Sequence, residues 1–216
     1  MIKNFNDLIL FLYFSKQQIN LTNDNLVADP LTISVPLLQQ LTPIQAQEKF
    51  SEGVNDYVLM RLITLIKFEL SKSLTTKGIN FNRNDEISNL LKETKKIVGS
   101  DQLYILDIID SLRCLRNSLE YRKGIIGERD LNTKNQLKII YPTFELFFEE
   151  QDGKRTTVKT LPATGPKNAA LKIQIIKTEI VYNIGDQCNI IPIDVLFCMT
   201  VLISSFFDEF NKKSNN

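Results

Sequence analysis

The most informative absence in this chain is histidine. None of its 216 residues is histidine, and none is tryptophan. Without an imidazole the chain cannot form a Ser-His-Asp or Cys-His catalytic arrangement, a His-ligated zinc site, a haem site with a proximal histidine, or a histidine-based pH switch. Glycine-rich phosphate-binding loops are also missing, which argues against a bound nucleotide or dinucleotide. The sequence therefore predicts no cofactor and no metal, and it leaves the chemistry to arginine, lysine, tyrosine, cysteine and carboxylate side chains.

The chain also lacks an excess of one charge and a disulfide pattern. Its 26 Lys and Arg residues are balanced by 25 Asp and Glu residues. Dedicated nucleic-acid or membrane-surface proteins usually carry a clear basic excess, so only a local basic patch is compatible with such a partner. The three cysteines contain no C-x-x-C pair and are odd in number. This usage is typical of a reducing compartment and predicts a cytoplasmic protein.

No apolar run is long enough to span a membrane. The two candidates, residues 8–14 and 195–207, are both shorter than the roughly 20 residues that a helix needs to cross a bilayer. We expect buried elements at both places and no membrane partner.

The remaining composition is that of a folded globular protein. The chain is 43% hydrophobic and 24% charged, and it has only eight glycines and seven prolines. Its length suits one domain over residues 1–216. We expect an α+β, mainly α fold: a helical bundle in residues 1–130, a small antiparallel β-insert in residues 131–191, and a last bundle helix with a polar tail in residues 192–216.

Helical periodicity predicts five helices. The first covers residues 5–17, and the second starts at Thr42-Pro43 and runs toward Leu74, with proline at its first position. The third covers residues 86–98, with Asn84-Asp85 as its cap and Ile97 on its buried face. The fourth covers residues 101–122, and the last runs from about residue 192 to about 210.

After Gly127 the apolar pattern changes to a period of two, which predicts strands. Residues 137–141 and 144–149 form the first two, and the pattern returns in residues 171–175 and 180–182. Asp152-Gly153 predicts a hairpin with a type I′ turn. Gly185-Asp186 predicts a further turn.

The fourth helix contains the candidate site. Its apolar stripe comprises Ile105, Ile108, Ile109, Leu112, Leu115 and Leu119. At about 100° per residue, Arg116 falls inside this stripe. A guanidinium there needs a carboxylate, carbonyl groups or an anionic ligand, because burying an unpaired charge is costly. Two interpretations stay open: an anion site at Arg116 and Asn117, with Arg113, Arg122 and Lys123 adding positive potential, or a structural Arg116 paired with a carboxylate such as Glu120.

The segment from Arg116 to Gly124, Arg-Asn-x-Leu-x-Tyr-x-x-Gly, resembles the signature of HEPN domains. These domains are helical bundles built around an Arg-Asn-x-x-x-His motif near the end of a helix. The resemblance implies a homodimer in which the Arg and His of two subunits cleave RNA without a metal. It makes Arg116, Asn117 and Tyr121 the candidate catalytic residues, and Arg113, Arg122 and Lys123 the candidate RNA-binding residues.

Tyrosine occupies the position where the HEPN motif has histidine. A histidine with a pKa near 6.5 exchanges protons at neutral pH, whereas an ordinary tyrosine phenol with a pKa near 10 is a poor general base. Residues five apart on a regular helix differ by about 140°, so Arg116 and Tyr121 are expected to converge only where the helix distorts or ends. Whether the chain is still an enzyme is therefore left open.

Two functions follow from the resemblance. One is a HEPN-like RNA-directed protein of the bacterial defence or toxin–antitoxin type, either an endoribonuclease or one with weakened or lost catalysis. The other is a catalytically inactive HEPN-like module for dimerisation or for binding a partner protein such as an antitoxin.

Overall fold

A computed structural model describes residues 3–21, 43–79, 81, 86–158, 165–188 and 191–212. Within these ranges the chain forms five α-helices and three β-strands. The helices are α1 (Phe5–Leu21), α2 (Pro43–Thr76), α3 (Ile87–Lys95), α4 (Leu103–Arg122) and α5 (Ile193–Lys212). The strands, all between α4 and α5, are β1 (Leu137–Glu149), β2 (Arg155–Thr157) and β3 (Ala170–Tyr182). The predicted α+β, mainly α fold with an antiparallel sheet before the last helix is confirmed.

The helix ends follow local chemistry. Pro43 is the first residue of α2, as predicted, since its missing N–H would be unpaired there anyway. The α2 helix ends in front of Gly78, which adopts a φ of 72°. The prediction for α3 is wrong at its end: the helix stops at Lys95, so Ile97 is exposed instead of lying on the buried face. Thr42 and the cap at Asn84-Asp85 lie outside the described residues.

Helix α4 lies at the centre of the fold and packs against α2, α3, α5 and β1. The predicted apolar stripe is buried from Ile105 to Leu115, while Leu119 is half-buried at its end. Leu137 and Ile139 of β1 belong to the same hydrophobic cluster as the helices. The base of the sheet is therefore part of the core that holds α4 in place.

The sheet has the order β2-β1-β3 and is antiparallel. Its main pair runs in continuous register from Leu137 opposite Tyr182 to Glu149 opposite Ala170. The predicted interruptions of both long strands are therefore wrong. Pro142 fits inside β1 because even-numbered β1 residues direct their backbone groups away from β3: the Ile140 N–H donates to Ser111 Oγ. A proline at such a position removes no bond between the two strands.

The turn between β1 and β2 lies where the Asp-Gly pair predicts it, but its type differs. Gly153 has a φ of 86°, whereas Asp152 has no positive φ. The Gly153 N–H donates to the Glu150 carbonyl, and the Glu150 N–H donates to the Lys154 carbonyl, each at 2.9 Å. This pattern is a three-residue loop with glycine in the left-handed conformation, whereas a type I′ turn needs a positive φ at both central residues.

The two apolar runs lie in α1 and α5. Leu8, Leu12, Leu196 and Ile203 are buried in the core. Among the described residues, no helix has the combination of length and apolar character that crossing a membrane requires.

We predict that Leu112→Ala lowers the free energy of unfolding by about 3 kcal/mol, because it leaves a cavity where the central helix meets its neighbours. Leu112 is fully buried. Leu103→Ala, at the exposed start of the same helix, should cost less than about 1 kcal/mol. Urea unfolding followed by circular dichroism measures both values. Equal losses would contradict the central position of α4.

Candidate functional site

Helix α4 brings four of the six predicted site residues to one open cleft of about 390 Å³. The cleft lies between α4, α2 and the start of α3. Its lining comprises Ile63, Thr64 and Lys67 of α2, Glu86 and Ile87 at the start of α3, and Arg113, Arg116, Asn117 and Tyr121 of α4. The predicted residues on α4 thus share a surface with groups from two other helices.

Arg116 lies at the edge of the buried stripe. Its Nη2 pairs with Glu120 Oε2 at 2.5 Å, one helical turn further on. Its Nη1 donates to Asn117 Oδ1 and its Nε to Met60 Sδ, both at 3.2 Å. Of the partners expected for Arg116, namely a carboxylate, carbonyl groups or an anionic ligand, the structure shows a carboxylate, that of Glu120. A guanidinium carries five N–H donors, so Arg116 keeps donors for a ligand beyond these three contacts.

Tyr121 lies at the rim of the cleft, and the residue is 70% exposed. The Arg116 Cζ is 5.6 Å from the centre of the Tyr121 ring, within the range of a cation–π contact. The two side chains meet although α4 continues as a regular helix to Arg122. The length of the arginine side chain bridges the separation, so no distortion of the helix is needed.

Arg113 and Lys67 add positive charge to the cleft. Arg113 Nη2 pairs with Asp110 Oδ1 at 2.8 Å and also contacts Cys114 Sγ. Burial disfavours the charged guanidinium, yet Cys114 and Asp110 together hold the pKa of Arg113 above its ordinary value. Lys67 forms no ion pair within the described part of the chain. It is the cation of the cleft that no described carboxylate neutralises.

Arg122 lies outside the cleft and has a structural contact. Its Nη1 pairs at 2.8 Å with Asp130, whose side chain is almost fully buried and also accepts the Gly127 N–H. The guanidinium packs so closely on Gly127 that a side chain at that position would collide with it. Arg122 thus ties the end of α4 to the short 3-10 turn Glu128–Asp130.

Lys123 also lies apart from the cleft. It ends α4 in the left-handed conformation with a φ of 55°, and its carbonyl accepts from Gln187 Nε2. Lys123 lines a different pocket, together with Glu48 and Glu52 of α2. The two residues predicted after Tyr121 are therefore not brought together with Arg116.

Cys114 is buried in the core beside Arg113. Burial raises the pKa of its thiol to about 12, and the neighbouring Arg113 offsets this only in part. Since the thiolate is the reactive form of cysteine, Cys114 is a packing residue and not a nucleophile at neutral pH.

The carboxylates at the tip of the hairpin do not form a cation site. Glu149 is bonded to Arg155 and Lys172 across the sheet, and these hydrogen bonds lower its pKa. In the described ranges no group of three or more acidic, cysteine or histidine side chains is placed to hold a metal.

Sequence reasoning missed Lys67 and Glu86 as members of the cleft. Lys67 follows the buried Ile66 in α2, and nothing in its own helix distinguishes it from other surface lysines. Only the packing of α2 and α3 against α4 places these two charges beside Arg116.

Comparisons with protein-family models, with curated proteins and with solved structures found no match to this chain. The HEPN-like assignment therefore depends on the motif from Arg116 to Gly124 and stays a prediction.

We predict that Asp130→Ala lowers the free energy of unfolding by about 2 kcal/mol, because it removes the acceptor of Arg122 and of a backbone N–H at a buried position. Asp107→Ala is the matched control, since Asp107 forms an exposed ion pair with Lys95. Such a pair contributes about 0–1 kcal/mol. Chemical unfolding of both variants gives the comparison, and a similar small loss for both would show that Arg122 is free to bind other partners.

Proposed function

We propose that the chain is a HEPN-like RNA-directed protein that binds RNA in the cleft between α2 and α4, with weak or lost cleavage. The observation that supports this most directly is the convergence of Arg113, Arg116 and Asn117 with Lys67 beside an exposed tyrosine ring. No other pocket of the described structure combines these groups.

The cleft offers the two interactions that single-stranded RNA uses most. A guanidinium binds phosphate oxygens through paired N–H donors, and a lysine ammonium adds a point charge. The Tyr121 ring at the rim presents a flat surface on which an unpaired base can stack. A looped or single-stranded RNA segment would thus place a phosphate at Arg116 and a base at Tyr121.

Glu120 competes with phosphate for Arg116. Its carboxylate is about one-third exposed and pairs with the same guanidinium. A bound phosphate must share Arg116 with Glu120 or displace it. The chain therefore binds RNA more weakly than a cleft with an unpaired arginine would.

Cleavage requires a proton acceptor near the ribose 2′-hydroxyl. Among the described residues that line the cleft, the only carboxylate is that of Glu86 and the only phenol is that of Tyr121. Replacing an efficient histidine acid–base by such groups typically costs ~10²–10⁴-fold in rate. We therefore propose binding as the main activity.

We predict that Arg116→Ala weakens the binding of a fluorescent single-stranded RNA by about tenfold, because it removes charge-assisted hydrogen bonds. Arg116→Lys should recover little of the lost affinity, since a lysine lacks the planar fork of donors. Lys72→Ala is the control, because Lys72 is an exposed lysine of α2 that pairs with Glu69 and is not part of the cleft lining. Fluorescence anisotropy without metal gives the affinities.

The wild type must bind for the proposal to hold. Equal weakening by Arg116→Ala and Lys72→Ala would assign the binding to general surface charge and reject the cleft. Thermal unfolding of each variant separates lost binding from lost folding.

We predict that Glu120→Gln strengthens RNA binding severalfold, because it removes the carboxylate that competes for Arg116 while keeping the size of the side chain. Titration of the same RNA at two salt concentrations measures the change. Weaker binding by Glu120→Gln would instead make Glu120 a residue that orients Arg116.

The pairing of Arg116 with Glu120 also favours a second function, a catalytically inactive HEPN-like module for dimerisation or partner binding. An arginine that already has a carboxylate partner is satisfied without a ligand. In this alternative the protein neither binds nor cuts RNA, and Arg116→Ala alters its oligomeric state or the binding of a partner such as an antitoxin.

A further inference from the structure

The outer edge of β3 pairs with none of the residues that the structure describes. One edge of this strand pairs with β1 along its whole length, and no described residue pairs with the other. Ile173, Ile176 and Ile180 are 65%, 39% and 38% exposed. A long, exposed and apolar edge strand is a template for another strand, and proteins usually cover or pair such an edge.

The backbone groups that face this edge belong to the odd-numbered residues of β3. Ile140 donates to Ser111, and the Leu146 carbonyl accepts from Val158, so both β1 residues point away from β3. Glu179 and Ile173 are their partners in β3. In an antiparallel pair, the residues opposite such positions also point outward. Free N–H and C=O groups therefore alternate along β3 from residue 171 to residue 181.

The charges of β3 select one self-pairing. Two antiparallel copies can be related by a two-fold axis that passes through one residue of β3. Each residue before the axis then lies opposite the residue of the second copy that is equally far beyond the axis. An axis through Thr178 sets Lys177 opposite Glu179 of the second copy, on both sides of the axis. Within one copy Glu179 also pairs with Lys138 at 2.8 Å, and the Lys177 ammonium lies 4.4 Å from the centre of the Tyr104 ring, so each charge would be shared with the second copy. An axis through Lys177 or through Glu179 would instead set like charges opposite each other, which destabilises a pair.

The same register also matches apolar side chains. It sets Ile176 opposite Ile180 of the second copy, and these two residues share one face of the sheet because they differ by an even number. Both are partly exposed in the single chain, so this pairing would remove apolar surface from water. Along β3, Thr178 is the only axis position that places a lysine opposite a glutamate.

We propose that β3 is a homotypic docking edge, through which two copies of the chain pair antiparallel about Thr178 and form one continuous six-stranded sheet. The outward N–H and C=O groups of each strand form hydrogen bonds with those of the other. This inference does not depend on RNA binding, since it uses none of the cleft residues.

The test is disulfide trapping of the full chain. Two copies of Thr178 would form a non-hydrogen-bonded pair with Cα atoms about 4.5 Å apart, within the range that a disulfide needs. We expect Thr178→Cys to form a covalent dimer on mild oxidation, seen on a non-reducing gel. Ile176→Cys is the matched control on the same strand and face, because its two copies would be about 14 Å apart.

The wild-type chain is the control for disulfides formed by its own cysteines, Cys114, Cys188 and Cys198. Selective trapping of Thr178→Cys supports the proposal. No covalent dimer, or equal amounts from both variants, overturns it. The outcome is separate from that of the RNA experiments, because either can succeed when the other fails.

A second measurement tests the charges. Sedimentation should show a wild-type dimer, and Lys177→Glu or Glu179→Lys alone should raise its dissociation constant by about tenfold, since each places like charges opposite each other twice. The double variant, with both exchanges, should restore the dimer. A wild type that stays monomeric at all concentrations, or a double variant as weak as the single ones, overturns the register. Circular dichroism confirms folding in each case.

Discussion

The burial of the apolar face of α4 is the interaction on which the other features depend. This helix contacts α2, α3, α5 and β1 at once, and its stripe from Ile105 to Leu115 is excluded from water. At about 25 cal/mol per Å² of apolar surface, such a helix contributes more to stability than any single polar contact. The site residues lie on the same helix, just where its apolar face meets solvent. Their positions are therefore set by the packing of the core.

Arg116 has two competing requirements, a partner for its charge near the core and access to the open cleft. Arg116 is close enough to the core to need a partner, and it finds Glu120 one turn away. The same guanidinium faces an open cleft in which Lys67 and Arg113 contribute further charge. A carboxylate on the helix and an anion in the cleft would compete for Arg116, because both accept from the same N–H donors. An anion that reached Arg116 would therefore have to share this guanidinium with Glu120 or displace it.

Particular residues show how far sequence reasoning reached. Pro43 at the start of α2, the buried stripe of α4 and the position, though not the type, of the turn at Gly153 follow from local preferences, and the structure confirms them. The predicted break around Pro142 was wrong. The backbone groups of this residue point away from β3, so its missing N–H removes no bond between β1 and β3. Arg122 was assigned to the same site as Arg116, yet it binds Asp130, eight residues further along the chain. Asp130 reaches Arg122 only because the chain reverses direction near Gly127, and this reversal is a property of the tertiary structure.

The sequence by itself determined the order of the helices, the position of the strands before the last helix, the central helix with an arginine in its apolar stripe, and the absence of any histidine chemistry. These properties depend on residue identity and on periodicity along one element, so they can be read without the fold. The tertiary structure decided that Lys67 and Glu86 share a cleft with Arg116, that Arg122 and Lys123 lie elsewhere, and that one edge of β3 pairs with no described residue. Such features arise from contacts between residues distant in the chain, and only the packing of whole helices and strands brings those residues together.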